Sequence, residues 1–413
     1  MWVQTIGFVS VVLLVIFAVS SFHSPVAFHR EKIARDMGMN SSPRLPSPVP
    51  SPVPDALPSN RHPQGTGRSL HSAWGPDCEG YALGIGASCP EPMDWLPAMA
   101  ETFPRGDWLH VDVGANKGYG VLNFVAALSG EEFSTPKKLQ IDLRKAYWHK
   151  LGKLSGAIRT WRRKQFCGMC CDCMKDLDSL PERVRARSVH AYAIDLSPTT
   201  ADWLKNFFTG NSHVTTVHAG VSKEAGYRDV MPPLFAGDEM VSLKEGSKVE
   251  VPVGGPVLPV RTKVLPLSQI IPEGSHIDFL STDTEGFDRH VFEGARDLFV
   301  QKRVSVYVFE VAFHLLPQFQ WNGTYLTDFV TELSSLGYAC MLPTGRASDA
   351  DTSPMKQYIR LGPQCRPGAI EGIVGWFNVL CYNHDNITLR QVFQEKIADR
   401  PRKDLKVPCP KNW

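Results

Sequence analysis

Hydrophobic and polar side chains alternate in several short stretches of the chain, and most of these stretches lead into a segment with helical spacing. Residues 109–113 alternate in this way and predict a strand, and the apolar run over 121–128 predicts a helix after it. Between the two lie Gly114, Gly118 and Gly120, which indicate a turn. A strand, a glycine turn and a helix together form the repeating unit of a parallel α/β sheet.

The same succession of strand and helix continues along the chain. Ser197 and Pro198 predict the start of a helix, because serine caps free amide groups and proline fits the first helical position. Residues 221–265 are rich in glycine and proline and predict a hairpin extension. Further strands are predicted at 189–195, 214–220, 277–283 and 304–310, helices after residues 197, 286 and 324, and closing strands at 372–382. We therefore expect an α/β protein with a mostly parallel sheet.

The composition of the first turn separates two classes of cofactor. A dinucleotide site requires G-x-G-x-x-G, but Asn116 stands where the second glycine after Gly114 would be. What remains is Asp112-x-Gly114-x-Asn116-x-Gly118, which resembles the first motif of class I S-adenosylmethionine-dependent methyltransferases. A carboxylate favours the positive charges of that cofactor and would repel a pyrophosphate. The turn therefore predicts a site for S-adenosylmethionine, and an ordinary glycine-rich turn without a ligand is the alternative.

Asp195 ends the second predicted strand and supports the same interpretation. In nucleoside-binding α/β folds, an acidic side chain at this point holds the ribose hydroxyl groups. Alone, Asp195 would be interpreted as an exposed loop carboxylate, but after a matching first strand we expect it to bind the ribose of the cofactor. The predicted cofactor-binding residues are Asp112, Gly114, Asn116, Gly118 and Asp195.

Motifs spread over residues 105–385 together resemble one family. They are Val111–Gly118, Ala193–Asp195 before a helix, and Ile277–Gly286 with the strand end Phe309-Glu310. On these motifs the chain resembles the FkbM-type methyltransferases. The resemblance implies a Rossmann-like class I methyltransferase fold, with a mostly parallel seven-stranded sheet and helices on both faces, and O-methylation, often of sugars. The chain departs from many members at Ser281-Thr282, where they have Lys-Ile.

The predicted catalytic residues are three carboxylates that end the fourth and fifth strands. Asp283, Glu285 and Glu310 follow strands of the sheet at the edge where open α/β sheets bind ligands. A sugar hydroxyl is a poor nucleophile, so a carboxylate within hydrogen-bond reach would help to remove its proton. His110 and His314 are nearby in the same interpretation, and a structural role is favoured for both.

Two other functions are compatible with these residues. A lumenal glycosyltransferase would use Asp283 and Glu285 as a D-x-D-like motif for a divalent metal, and it would not need the glycine turn. An inactive cofactor-binding module is the third hypothesis. The methyltransferase interpretation predicts S-adenosylmethionine as cofactor, a carbohydrate acceptor and no metal site.

A segment over residues 130–187 separates the first predicted helix from the second strand and is interpreted as an insertion. It is rich in lysine and arginine, which predicts a solvated helical face, with binding of an acidic substrate as the alternative. Its four clustered cysteines predict disulfides, with zinc ligation as the alternative. These cysteines are Cys167, Cys170, Cys171 and Cys173.

The remaining composition is that of an ordinary globular protein. The 413 residues are 43% hydrophobic and 21% charged, and the net charge is +2. So small a net charge gives no general attraction to nucleic acid, and none is expected as a partner. The catalytic domain is assigned to residues 74–413.

The N-terminal part predicts a membrane anchor and a stem. Residues 2–29 contain no charged side chain, and with its flanks the apolar run reaches the ~20 residues that a membrane-spanning helix needs. Residues 1–29 are therefore predicted to be a signal anchor, with a cleavable signal peptide as the alternative because small residues lie at 18–20. Residues 30–73 are proline-rich and predict an extended stem.

Two features of the sequence predict opposite orientations for this anchor in the membrane. Basic residues at 30–35 follow the apolar run, which on the positive-inside rule would keep the catalytic domain in the cytosol. Ten cysteines and glycosylation acceptor triplets at Asn40, Asn322 and Asn386 favour the lumen instead. We expect a single-pass type II glycoprotein of the Golgi or secretory-pathway membrane, with a lumenal catalytic domain.

Overall fold

The computed structural model describes residues 93–343, 358–361 and 375–397. The first range has gaps at 94, 105, 131–133, 154–155, 157–158, 160–165, 168–179, 232, 234, 239–258 and 314–322. The predicted anchor and stem, His314 and three of the four clustered cysteines lie outside the described residues. Within these ranges, no helix combines the length and the apolar character that crossing a membrane requires.

Strands that lead into helices recur along the described chain, as the sequence predicts. The α-helices are α1 (Leu96–Thr102), α2 (Tyr119–Ser129), α3 (Pro136–Leu151), α4 (Pro198–Phe207), α5 (Asp288–Val300), α6 (Gly323–Ser335) and α7 (Ile387–Gln391), which continues into a π-helical segment (Val392–Ile397). The strands are β1 (Asp107–Val113), β2 (Ser188–Asp195), β3 (Val214–His218), β4 (Gly220–Val221), β5 (Gly226–Val230), β6 (Val260–Leu265), β7 (Ile277–Thr282), β8 (Val304–Phe313), β9 (Tyr338–Pro343), β10 (Tyr358–Leu361) and β11 (Gly375–Asn383).

Eight of these strands form one mostly parallel sheet in the order β10-β9-β11-β8-β7-β1-β2-β3. The pairs from β8 through β7, β1 and β2 to β3 are parallel, whereas β11 runs antiparallel to both β8 and β9. The sheet has one strand more than the seven implied by the family resemblance, because β10 pairs antiparallel with β9 at the edge. The chain passes from β1 outward to β3 and then returns to β7 on the other side of β1. The carboxyl ends of β1 and β7 therefore meet where the strand order reverses, which is where open α/β sheets bind ligands.

The predicted hairpin extension is a small second sheet of β4, β6 and β5. The strand predicted at 214–220 is wrong at its end, because β3 stops at His218 and Gly220 pairs with Val264 of β6 instead. A Cβ at Gly220 would lie 2.7 Å from the end of the Leu196 side chain, so a larger residue here would require that side chain to shift.

Hydrophobic clusters cover both faces of the large sheet, as predicted. One contains α2 side chains such as Phe124, and the other contains Phe292 of α5 and Phe329 of α6. Strand β1 contributes Trp108 to the first cluster and Val111 to the second. Both sides of the central strand are thus covered by helices, and its polar positions point into the protein.

The inserted segment contains α3, whose basic face is solvated as predicted. Leu139 and Leu143 are buried in the core, whereas Lys137 and Lys145 are exposed. The Thr135 side chain caps the helix by accepting a hydrogen bond from the Lys138 backbone at 3.2 Å. Hydrophobic spacing therefore fixes which side of α3 faces the core.

Disulfides account for the cysteines of the described chain. Cys167, the first of the clustered cysteines, is disulfide-bonded, as the disulfide interpretation predicts. Cys340 and Cys381 form a second bridge, which the sequence did not single out. Its residues face each other directly across the antiparallel strands β9 and β11, where the side chains of opposed residues meet.

Candidate active site

The predicted turn after β1 has the backbone geometry that its glycines require. Gly114, Asn116 and Gly118 have φ angles of 81°, 49° and 87°, in the left-handed region that favours glycine and admits asparagine. A Cβ at Gly114 would lie 2.0 Å from the carbonyl oxygen of Asp283. The Asp283 backbone in turn donates a hydrogen bond to Val113 at 3.0 Å. The structure therefore brings the first motif into direct contact with the acidic end of β7.

Gly118 has a packing role in addition to the one predicted from the motif. It is the N-cap of α2, and a Cβ on it would lie 2.9 Å from Leu204 and 3.0 Å from Phe208. The glycine thus lets α2 approach α4 closely. Packing therefore contributes to the requirement for glycine at this position.

Asp195 connects the turn to the start of α4. Its two carboxylate oxygens accept hydrogen bonds from the backbones of Asn116 at 3.1 Å and Ser197 at 2.8 Å. Burial raises the pKa of Asp195 to about 7, although both hydrogen bonds oppose that shift. A carboxylate can accept about four hydrogen bonds, so two of its lone pairs remain for the hydroxyl groups of a ligand.

Asp112 is held by a buried chain of three polar side chains. The Ser281 hydroxyl donates to Asp112 at 2.7 Å, and Nε2 of His110 lies 2.8 Å from the same hydroxyl oxygen. Because the serine proton is used on Asp112, His110 donates from Nε2. Burial lowers the pKa of His110 to about 3 and raises that of Asp112 to about 6. His110 also stacks on Phe279 at 4.4 Å, which is the structural role favoured for it from the sequence.

The three predicted catalytic carboxylates gather at the same end of the sheet. Asp283 is exposed, whereas Glu285 and Glu310 are half-buried. Burial raises the pKa of Glu310 well above its usual range, and the negative charges of Asp283, Glu285 and Asp288 raise it further. Glu310 is also hydrogen-bonded to Asp283. This arrangement can hold a proton between two carboxyl groups.

Two residues of this region were not assigned a role from the sequence. In the sequence Ser281 stands out only as a departure from the family pattern, and no pattern predicts a role for Asp288. Asp288 is fully buried at the start of α5, and burial raises its pKa. Its position in the run Asp283-x-Glu285-x-x-Asp288 is a signal that could have found it. The partner of Ser281 lies on a different strand, so no local pattern contains it.

The Asn116 side chain offers a test of whether the turn fits the predicted cofactor. Its Oδ1 atom is buried and has no hydrogen-bond partner among the described residues. Such an acceptor suits the ammonium group at the amino-acid end of S-adenosylmethionine. Residues 235–238 lie over the turn: a Cβ at Gly237 would be 2.9 Å from that oxygen and 2.5 Å from Lys117. The turn therefore holds a buried acceptor oxygen that fits the ammonium group of the cofactor, and residues 235–238 cover this oxygen.

A groove of about 320 Å³ lies between α3 and α4, away from the carboxyl ends of β7 and β8. Over the described part of the chain, no group of three or more His, Cys, Asp or Glu side chains is arranged to hold a metal ion.

A model of a known protein family matches the part of the chain from α4 to β9. Residues 198–340 match the family model described as the methyltransferase FkbM domain. The structure of M. capricolum TrmK in complex with S-adenosyl-homocysteine is similar over 70% of this chain and 67% of that one, with 7% identity and a TM-score of 0.24, too low to support an argument. No curated protein is significantly similar to the chain. The FkbM resemblance is confirmed for residues 198–340, which include all three predicted catalytic carboxylates, and this match indicates S-adenosylmethionine as the cofactor.

Proposed function

We propose that the protein is an S-adenosylmethionine-dependent O-methyltransferase that methylates a sugar hydroxyl on a glycan or glycoconjugate. The observation that carries the proposal is the contact between the Gly114 turn and Asp283, with Glu310 hydrogen-bonded to Asp283. A cofactor turn and a proton acceptor thereby lie side by side at the switch point of the sheet.

The residues proposed to hold the cofactor are those of the turn and the end of β2. Asp112 and Asn116 would face the ammonium end, and Asp195 the ribose. When bound, the cofactor supplies a methyl group that its sulfonium already activates. The protein has therefore to align the acceptor oxygen and to take up its proton.

The proton acceptor in this proposal is the Asp283–Glu310 pair. Burial and the neighbouring acids raise the pKa of Glu310, which favours its protonated form, and a protonated Glu310 would donate a hydrogen bond to Asp283. Asp283 is exposed, and we propose that this hydrogen bond supports the carboxylate that accepts the proton of a sugar hydroxyl. Glu285 is proposed to anchor a second hydroxyl of the same sugar.

Methyl transfer from labelled cofactor to a panel of oligosaccharides tests the proposal. We expect at least one labelled product, and a loss of about 10²-fold or more in rate for Asp283→Asn and Glu310→Gln. Glu273→Gln changes an exposed acid away from the site and should leave the rate unchanged. Transfer of a sugar from a nucleotide sugar with manganese would favour the glycosyltransferase hypothesis, and cofactor binding without transfer would favour the inactive module.

We further propose that the catalytic domain resides in the lumen of the secretory pathway, anchored by residues 1–29 as a type II membrane protein. The Cys340–Cys381 and Cys167 disulfides support this, because disulfides persist in oxidising compartments. Glycosidase treatment of the protein from cells should shift its gel band, since Asn40, Asn322 and Asn386 would carry glycans. An unshifted band would contradict the lumenal orientation.

A further inference from the structure

A groove between α3 and α4 lies outside the proposed active site, and we shall call it the α3–α4 groove. Its volume is about 320 Å³, at the lower end of the range for small-molecule sites. It is lined by Ser134, Lys138, Asp142, Trp203, Asn206 and Phe207. The proposed function gives none of these residues a role.

The floor of the groove is aromatic. Trp203 and Phe207 lie one turn apart on α4, and their rings stack with centroids 5.8 Å apart and an angle of 24°. Both side chains are half-buried against the hydrophobic core, so their positions are fixed by packing. Flat apolar surfaces of this kind receive ligands that have a flat apolar face.

The charged side chains that line the groove are one lysine and one acid, and a second lysine lies beside that acid. Lys138 donates to Asp142 at 2.9 Å, and Lys145 lies 3.8 Å from the other oxygen of Asp142. The lysine that lines the groove is thus paired with the acid that lines it, and Asn206 adds an exposed amide. A neutral ligand with several hydroxyl groups suits this rim better than a phosphate does.

Two buried polar atoms of the lining residues have no hydrogen-bond partner among the described residues. Ser134 Oγ and Trp203 Nε1 are both buried, and neither makes a hydrogen bond to any part of the chain that the structure describes. A buried polar group without a hydrogen bond is destabilising, and a ligand hydroxyl that reached these atoms would remove that penalty. Ser134 and Trp203 both line the groove, so a single ligand in the groove would lie near both atoms.

We propose that the α3–α4 groove is a carbohydrate subsite that binds one neutral hexose ring of the acceptor glycan. A hexose ring has apolar C–H faces for the Trp203–Phe207 stack and a rim of hydroxyl groups for Asp142 and Asn206. Trp203 is five positions after Pro198, which lies beside the proposed ribose site, and this is about 8 Å along the helix. A glycan of several sugars is long enough to cover that distance. The choice of ligand class rests on the proposed function.

Calorimetric titration of methyl glucoside, methyl galactoside and methyl mannoside into the full-length chain tests the subsite. We expect at least one to bind, and about a tenfold loss of affinity in Trp203→Phe, which removes the indole N–H and keeps a ring. Asn206→Ala changes an exposed residue without risk to the core and should also weaken binding. Trp148→Phe, on the exposed face of α3, is the matched control and should bind normally.

The outcomes distinguish this inference from the proposed function. If no glycoside binds but an oligosaccharide is methylated, the subsite is wrong and the methyltransferase proposal stands. If a glycoside binds and both groove variants lose it while no methyl transfer occurs, the subsite stands and the proposed function fails. Unchanged affinity in both groove variants, or tighter binding of inorganic phosphate than of any glycoside, would overturn the subsite.

Discussion

The α-carbon of Gly114 lies against the main chain of Asp283, so that a Cβ at residue 114 would be 2.0 Å from the Asp283 carbonyl oxygen. This contact joins the glycine turn after β1 to the acidic end of β7. The same glycine has a φ of 81°, so both its backbone angle and its surroundings exclude a side chain.

Replacing Gly114 with alanine should therefore destabilise the protein and disrupt the cofactor turn. The left-handed backbone alone costs about 1–3 kcal/mol for a residue with a Cβ, and the collision with Asp283 adds to it. Gly274→Ala is the matched control, because Gly274 has a φ of 75° but open space around it. Urea denaturation of both variants should show the larger loss at residue 114, and equal losses would contradict the contact.

Ser281→Ala should weaken cofactor binding by removing the hydroxyl between His110 and Asp112. The His110 N–H is then left buried without its partner, which costs about 1–3 kcal/mol of stability. The pKa of Asp112 should rise further, because its hydrogen bond from Ser281 currently lowers it. Affinity for S-adenosylhomocysteine measured from pH 6 to 8 should therefore fall most at the acidic end.

The matched control for that change is Ser305→Ala. Ser305 of β8 contacts His276, which lies just before β7, at 2.7 Å in a similar pair away from Asp112. Its loss should reduce stability and leave cofactor affinity unchanged. Equal effects of the two variants on affinity would show that the hydrogen bonds of Ser281 with His110 and Asp112 do not specifically support cofactor binding.

Asp112 and Asp195 should contribute less to stability as the pH rises from about 4 to about 7. Burial raises the pKa values of Asp112 and Asp195 to about 6 and about 7, whereas the unfolded chain releases these protons near pH 4. At these two groups the folded state therefore binds more protons across this interval, and their contribution to the free energy of unfolding decreases until both groups are ionised. Urea titrations at several pH values should show that the free energy of unfolding of Asp195→Asn falls less, or rises more, with pH than that of the exposed control Asp229→Asn. Identical slopes would contradict the raised pKa.

Reduction of the Cys340–Cys381 bridge should lower the free energy of unfolding. The bridge spans 41 residues, and closing a loop of that length restricts the unfolded chain by about 4 kcal/mol. Cys340→Ala with Cys381→Ala should lose a similar amount in guanidinium denaturation. A double variant as stable as the parent would show that the strand pairing alone is sufficient.

The sequence predicted best those structural features that depend on residues close together in the chain. The turn at Gly114 and the cap at Ser197 depend on local backbone chemistry, and both have the predicted geometry. The bond between Ser281 and Asp112 joins residues 169 positions apart, so it depends on the register of β1 with β7. Alternation in β1 predicted a strand, but it could not reveal that His110 would be buried, because the second helical layer comes from distant segments.

The central claim is that the turn and Asp195 bind S-adenosylmethionine, and calorimetric titration of S-adenosylhomocysteine into the full-length chain tests it most directly. We predict binding by the parent protein, at least tenfold weaker binding by Asp112→Ala and by Asp195→Ala, and unchanged binding by Asp229→Ala. Unchanged affinity in both site variants, or binding of a UDP-sugar with manganese in place of S-adenosylhomocysteine, would contradict the account.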